Sequence, residues 1–169
     1  MVGYERVSSV LSGVGMGAFL AFILSIRFPS VNLTVSFLLG IGLGGLLGAF
    51  SRPTPSSGTA FFLGIISSLL VTVTVLKNPS VGLLLSIILP LLLFFTVPSG
   101  MVDVMATPLS YLGGVVLILW VEYLFTGGLS GEVLGRTAYL EVLGAIVALF
   151  TPLSKWISVV LSKRLRAKL

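Results

Sequence analysis

The chain has 169 residues, 56% of them hydrophobic and 9% charged, with a net charge of +5 and a mean hydropathy of +1.18. Soluble domains carry about 25% charged residues, so this composition has no polar shell with which to cover a core in water. With no His and no Cys, the chain lacks the usual haem ligands, cannot hold an iron–sulfur cluster or an ordinary zinc or copper site, and can form no disulfide.

A bilayer crossing needs roughly 20 mostly apolar residues, and runs of that kind set the expected elements. In chain order they are Val7–Ile26, Val31–Phe50, Thr59–Leu76, Val81–Val97, Pro108–Phe125 and Ala138–Leu153. The runs are continuous rather than alternating, which excludes a β-barrel. The first is too long for the apolar core of a secretory signal and is preceded by both Glu5 and Arg6, so it reads as a retained helix. The expectation is an all-α integral membrane protein, a compact bundle of six helices forming one domain over residues 1–169. The connections are expected to be short, at Arg27–Ser30, Ser51–Gly58, Lys77–Ser80, Pro98–Thr107 and Thr126–Thr137.

With six spans both termini share a side. Arg6, Arg52, Lys155, Lys163, Arg164, Arg166 and Lys168 fall on that side, against Arg27, Lys77 and Arg136 on the other. The bias of basic residues toward the inside therefore predicts a cell-membrane protein with both ends in the cytoplasm. Residues 153–169 read as a basic amphipathic tail, with Lys155, Lys163, Arg164, Arg166 and Lys168 turned toward lipid head groups or serving as a topology anchor.

Shifting the sequence by 50 positions superposes Ser25–Leu39 on Val75–Leu89. Pro29, Ser30, Val31, Leu33, Ser36 and Leu39 meet identical residues, Arg27 meets Lys77, and Gly40 meets Pro90. This predicts a duplicated helical hairpin, spans one–two and three–four, with two helix-weakening residues in corresponding places. Chance matching in a chain rich in Leu, Val and Ser is the competing explanation. The same ambiguity attaches to the missing Gln and the two lone Asn residues, which also fit a thermophile's avoidance of labile side chains.

Gly40, Gly44 and Gly48 are four apart in span two, and Gly13–Gly17 and Gly144–Ala148 repeat the spacing. Small residues at this interval let helix backbones approach closely where lipid supplies no hydrophobic force between helices. Packing inside the bundle is the expected use, with an oligomer face as the alternative.

Ionisable residues within or beside spans are the candidates for function. Glu122 is placed near the end of span five between Trp120 and Tyr123, and Glu141 in the first turn of span six, with Arg136 between them. A Glu122–Arg136–Glu141 group at the outer surface is read as an ion-pair network closing the last hairpin or as the mouth of a proton or cation path. Asp103 stands alone in the otherwise apolar Pro98–Pro108 stretch, which is read as a re-entrant segment or a docking site for another subunit. The glycines of Thr126–Thr137 lack the ending of a phosphate-binding loop, so no nucleotide is expected.

The inventory for catalysis is thin. One Asp makes no aspartyl dyad, and without His there is neither a Ser–His pair nor a metal-binding His motif. The expected function is that of a non-catalytic subunit packing against lipids, other membrane subunits or itself in a larger membrane complex, without cofactor, metal or nucleic acid. The alternative is a small homo-oligomeric transporter or channel for an ion or small solute.

Overall fold

The computed structural model describes residues 2–50, 55–96, 101–126 and 131–167. They form seven helices: α1 (Val2–Arg27), α2 (Leu33–Phe50), α3 (Pro55–Lys77), α4 (Pro79–Leu91), α5 (Leu93–Thr96), α6 (Met101–Thr126) and α7 (Gly131–Arg166). Five of them, α1, α2, α3, α6 and α7, are long and apolar enough to cross a membrane. The distribution of polarity suits that medium. Ser12, Ser57, Ser67, Ser68, Thr107 and Ser110 are buried, while Leu47, Phe50, Phe95 and Phe125 are exposed. A soluble protein would reverse that placement.

Local chemistry explains the boundaries. Asn32 Oδ1 accepts from the amides of Thr34 (2.9 Å) and Val35 (3.4 Å) at the start of α2. Asn78, in extended conformation, caps α4 by accepting from the Ser80 amide at 3.2 Å, with Pro79 in the first helical position. Both devices satisfy orphan helix-start groups or exploit the missing proline amide. The two caps differ in register by 46 positions rather than 50, so the second helices of the two hairpins begin at different points of the shared sequence motif.

The fourth apolar run is not one helix. Pro90 has no amide to give the Ser86 carbonyl, its regular helical acceptor, and the chain turns at Leu92 before resuming as α5. The expected connection Pro98–Thr107 is shorter than sequence suggests: residues 101–107 are the first two turns of α6, and Pro108 lies inside that helix. Asp103 therefore belongs to a helix rather than to a loop. Packing of Val104, Ala106 and Thr107 into the interior outweighs the local disruption by Pro108.

The expected connection Thr126–Thr137 is likewise cut short, because α7 begins at Gly131. This helix is continuous through Pro152 to Arg166, and its 36 residues extend about 54 Å, beyond a hydrocarbon core of about 30 Å. The basic tail is thus the C-terminal end of α7 and not a separate helix.

Backbone-to-backbone contacts at glycine join α1, α2, α3 and α6. A Cβ on Gly13 or Gly17 would strike the Gly44 or Gly40 carbonyl, and one on Gly48 would lie 2.5 Å from the Ser9 carbonyl oxygen. On its other side α1 meets α6, where Gly113 abuts Gly15, and α3 meets α6, where Gly64 abuts the Tyr111 backbone and Gly114 the Phe61 carbonyl. Ser9 Oγ donates to the Gly48 carbonyl (2.7 Å), and the Ser12 and Ser110 hydroxyls are 3.1 Å apart. Phe37 of α2 stacks on Trp120 of α6 with centroids 5.0 Å apart. Otherwise α2 packs chiefly against α1 and turns a row of leucines outward.

Candidate functional site: a buried carboxylate among hydroxyls

The inner face of α7 carries Thr137, Glu141, Gly144 and Ala148, which follow one another at intervals of four, three and four. Helical geometry places such residues one above the other, and all four are buried. Glu141 is only 6% exposed. It lies ten residues beyond Gly131, about 15 Å along α7. Its surroundings give the same depth from another ruler, since Ser68 lies nine residues, about 13 Å, before the end of α3 at Lys77. Glu141 is therefore an interior residue. The expectation of Glu141 in the first turn of its helix is corrected, and the cause is the earlier start of α7.

Hydroxyl groups from neighbouring helices surround this carboxyl. Ser68 of α3 and Tyr111 of α6 both interact with it electrostatically. Tyr111, fully buried, donates its hydroxyl proton to Ser67 Oγ at 2.9 Å. The oxygens are not all satisfied. Glu141 Oε1, Ser68 Oγ and Thr137 Oγ1 are buried without a hydrogen-bond partner, although Ser68 stands beside Glu141. Unpaired buried polar atoms are uncommon, and each is costly in an apolar medium.

One turn further along α7, the missing side chain of Gly144 leaves room for α4. A Cβ there would stand 3.0 Å from the Ser86 carbonyl oxygen and 3.6 Å from the Tyr111 hydroxyl. That carbonyl is the one deprived of its regular donor by Pro90. The broken helix thus turns its altered backbone toward the same polar interior. Such non-regular backbone at membrane depth is tolerated where protein or a cavity covers it.

Glu122 is half-buried near the end of α6 and accepts from Thr72 Oγ1 of α3 at 3.5 Å. It lies within electrostatic reach of Glu141. The structure thus brings two of the sequence-expected residues, Glu122 and Glu141, to one side of the bundle at different depths. The side chains of Arg136 and Asp103 lie outside the described residues, as does Lys168. Lys163, Arg164 and Arg166 are exposed on the C-terminal end of α7. Lys155, half-buried, holds its ammonium over the Phe94 ring of α5, 5.6 Å from the centroid.

Sequence reasoning missed Ser67, Tyr111, Thr72 and Thr137 as members of this site. Their signal was weak: isolated hydroxyls in apolar runs, with nothing to show which face turns inward. The sequence shows Gly144 only as a packing residue, spaced four from Ala148. No family model, curated protein or solved structure matches the chain.

Proposed function

We propose that this protein is a small transporter or channel, with six crossings of the membrane and both termini in the cytoplasm, that moves an ion or small solute through the α3–α4–α6–α7 side of its bundle. In this reading α4 and α5 together make the fourth, broken crossing, whether or not the hairpins arose by duplication. The observation that carries it is the Glu141 carboxyl, buried at depth among hydroxyls of α3 and α6. Ionisable side chains inside membrane bundles are expensive and mark pathways or relays far more often than they serve packing. Helix breaks beside them are a recurring feature of transport sites. The test is ion and solute flux in liposomes containing the purified protein, compared with a Glu141→Gln variant of equal thermal stability. Flux in the native protein that the variant loses supports transport, and identical flux in both refutes it.

A second reading, a non-catalytic subunit of a larger membrane complex, draws on α2. That helix packs chiefly on α1 and leaves Leu38, Leu39, Leu43, Leu46 and Leu47 open to lipid or to another subunit. Extraction in mild detergent separates the two. Other membrane subunits in fixed ratio favour the complex, and a lone monomer or homo-oligomer favours transport.

A further inference from the structure

We propose that Glu141 is a proton-carrying site, taking up a proton and releasing it in turn, with Glu122 as its relay toward the end of the bundle marked by Lys77 and Thr126. The inference rests on the transport reading and specifies what the buried carboxyl carries. The geometry that supports it is the set of hydroxyls around Glu141. A carboxylate can only accept hydrogen bonds, whereas a carboxylic acid donates one, and a hydroxyl can do either by rotating about its C–O bond. Ser68 Oγ and Thr137 Oγ1 are fully buried, on facing helices or one turn away, and neither is committed to another partner. Once its side chain turns toward the carboxyl beside it, Ser68 can donate to an ionised Glu141 and accept from a protonated one, and Thr137, one turn earlier on the same face of α7, offers a second uncommitted hydroxyl.

The neighbouring polar groups are committed elsewhere. Tyr111 donates to Ser67, and the Ser86 hydroxyl donates to the Leu83 carbonyl at 2.8 Å. Among the described residues no three carboxylate, His or Cys side chains gather in one place, so the ligand set fits one proton better than a metal cation, which needs several charged or carbonyl oxygens. The balance is simple: a carboxylate and a proton combine to a carboxylic acid, and the reverse step returns both.

Among the described residues, the charged and titratable groups facing Glu141 are few. From α6 they are Glu122 and Tyr111. From α3 Ser68 stands beside it, the one titratable side chain of that helix being Lys77 at its far end, and neither α4 nor α5 carries a titratable side chain. Glu122 is half-buried four residues before the end of α6, about 6 Å from the helix terminus. It can therefore exchange protons with the membrane surface, and it lies within electrostatic reach of the deeper Glu141.

The direct test is infrared difference spectroscopy of the protein in lipid membranes as pH is changed, with the native chain, Glu141→Gln and Glu122→Gln. The carbonyl stretch of a protonated carboxyl should appear and vanish with pH in the native protein and in Glu122→Gln, and be lost in Glu141→Gln. Circular dichroism and thermal melting confirm that each variant is folded, and Glu141→Asp, which should restore the band, guards against a merely disruptive amide. Proton uptake into liposomes under an imposed potassium diffusion potential is measured on the same samples. Loss of both band and uptake in Glu141→Gln supports the proposal. A band lost in Glu141→Gln with no uptake by the native protein keeps the proton site and overturns transport. A band unchanged in Glu141→Gln, or a Glu141 carboxyl that does not titrate, overturns the proton site whatever the flux.

Discussion

The glycine seam between α1 and α2 yields a comparison within one helix. Gly42 and Gly44 are two residues apart in α2, yet a Cβ on Gly42 meets nothing within 4 Å, whereas one on Gly44 meets the Gly13 carbonyl and stands 3.0 Å from the Gly17 Cα. Replacement by Ala at either site gains the same intrinsic helix propensity, about 1 kcal/mol relative to Gly. The difference between the two variants therefore isolates packing. At Gly44 the obstructing atoms are backbone on both sides and cannot rotate away, so the helices must separate. Overpacking of this kind costs about 1–3 kcal/mol. That corresponds to a factor of roughly 5 to 150 in the equilibrium between docked and undocked α2. Because the chain has no Cys, a reporter pair can be added cleanly. Val14→Cys with Gly45→Cys suits the purpose, since a Cβ at Gly45 lies 3.3 Å from Val14 Cγ2. Oxidative cross-linking of that pair should be slowed by Gly44→Ala and unaffected by Gly42→Ala, with melting temperature moving in parallel. Equal cross-linking and equal melting in the two variants would refute the account of α2 docking.

Three further outcomes follow from individual contacts. Tyr111→Phe removes the hydroxyl bonded to Ser67 and should lower stability by about 0.6 kcal/mol, the average for interhelical hydrogen bonds in membranes, and at most about 1.7 kcal/mol; unchanged detergent unfolding would show that the bond is replaced. Trp120→Phe keeps a ring stacked on Phe37 while deleting an indole N–H that is buried without an acceptor, so it should be neutral or slightly stabilising, and a large drop in melting temperature would contradict that. Pro90→Ala restores an amide for the Ser86 carbonyl and removes a helix-interior proline worth about 3 kcal/mol. It should raise thermal stability while reducing any flux through the bundle, and a variant with native flux would show that the break is not needed.

The apolar runs were readable because membrane spans are written in composition, and a run of about 20 apolar residues has few other uses. Their ends were less readable. Met101–Thr107 holds Asp103 and runs into Pro108, and Gly131–Thr137 holds two Gly and Arg136, residues that punctuate helices in water, and reading these stretches as connections shortened α6 and α7. That error decided the depth of Glu141: counted from Ala138 it falls in a first turn, counted from Gly131 it is ten residues in. The glycine faces of α1 and α2 were readable from the four-residue interval, because Gly in a helix has little purpose other than close approach. The inward faces of α3 and α6 were not. Both helices are apolar on every side, so no amphipathic stripe distinguishes lipid from interior, and single hydroxyls such as Ser67 or Thr72 gain meaning only once a partner helix faces them.

The two sides of the bundle are held by different means, and this bears on where movement can occur. Between α1, α2, α3 and α6 the seams are glycine contacts of backbone on backbone, with Ser9, Ser12 and Ser110 bonded across them. Such seams have one close-packed arrangement, because neither backbone offers a side chain that can adopt another rotamer. Between α4 and α7 the contact joins the Ser86 carbonyl at a proline break to Gly144, with side-chain packing of Leu140 against Gly82 and Leu85, and Glu141 with its unpaired neighbours lies one turn away. Side-chain hydroxyls and a broken helix have alternative arrangements of similar energy, as a conformational switch requires. A transport motion would then leave the α1–α2–α3–α6 seams fixed and shift α4, α5 and α7 against them. Engineered cross-links across Val14–Gly45 should leave flux intact, whereas links between Ser86 and Gly144 should stop it; the opposite pattern would place the moving part on the glycine seam.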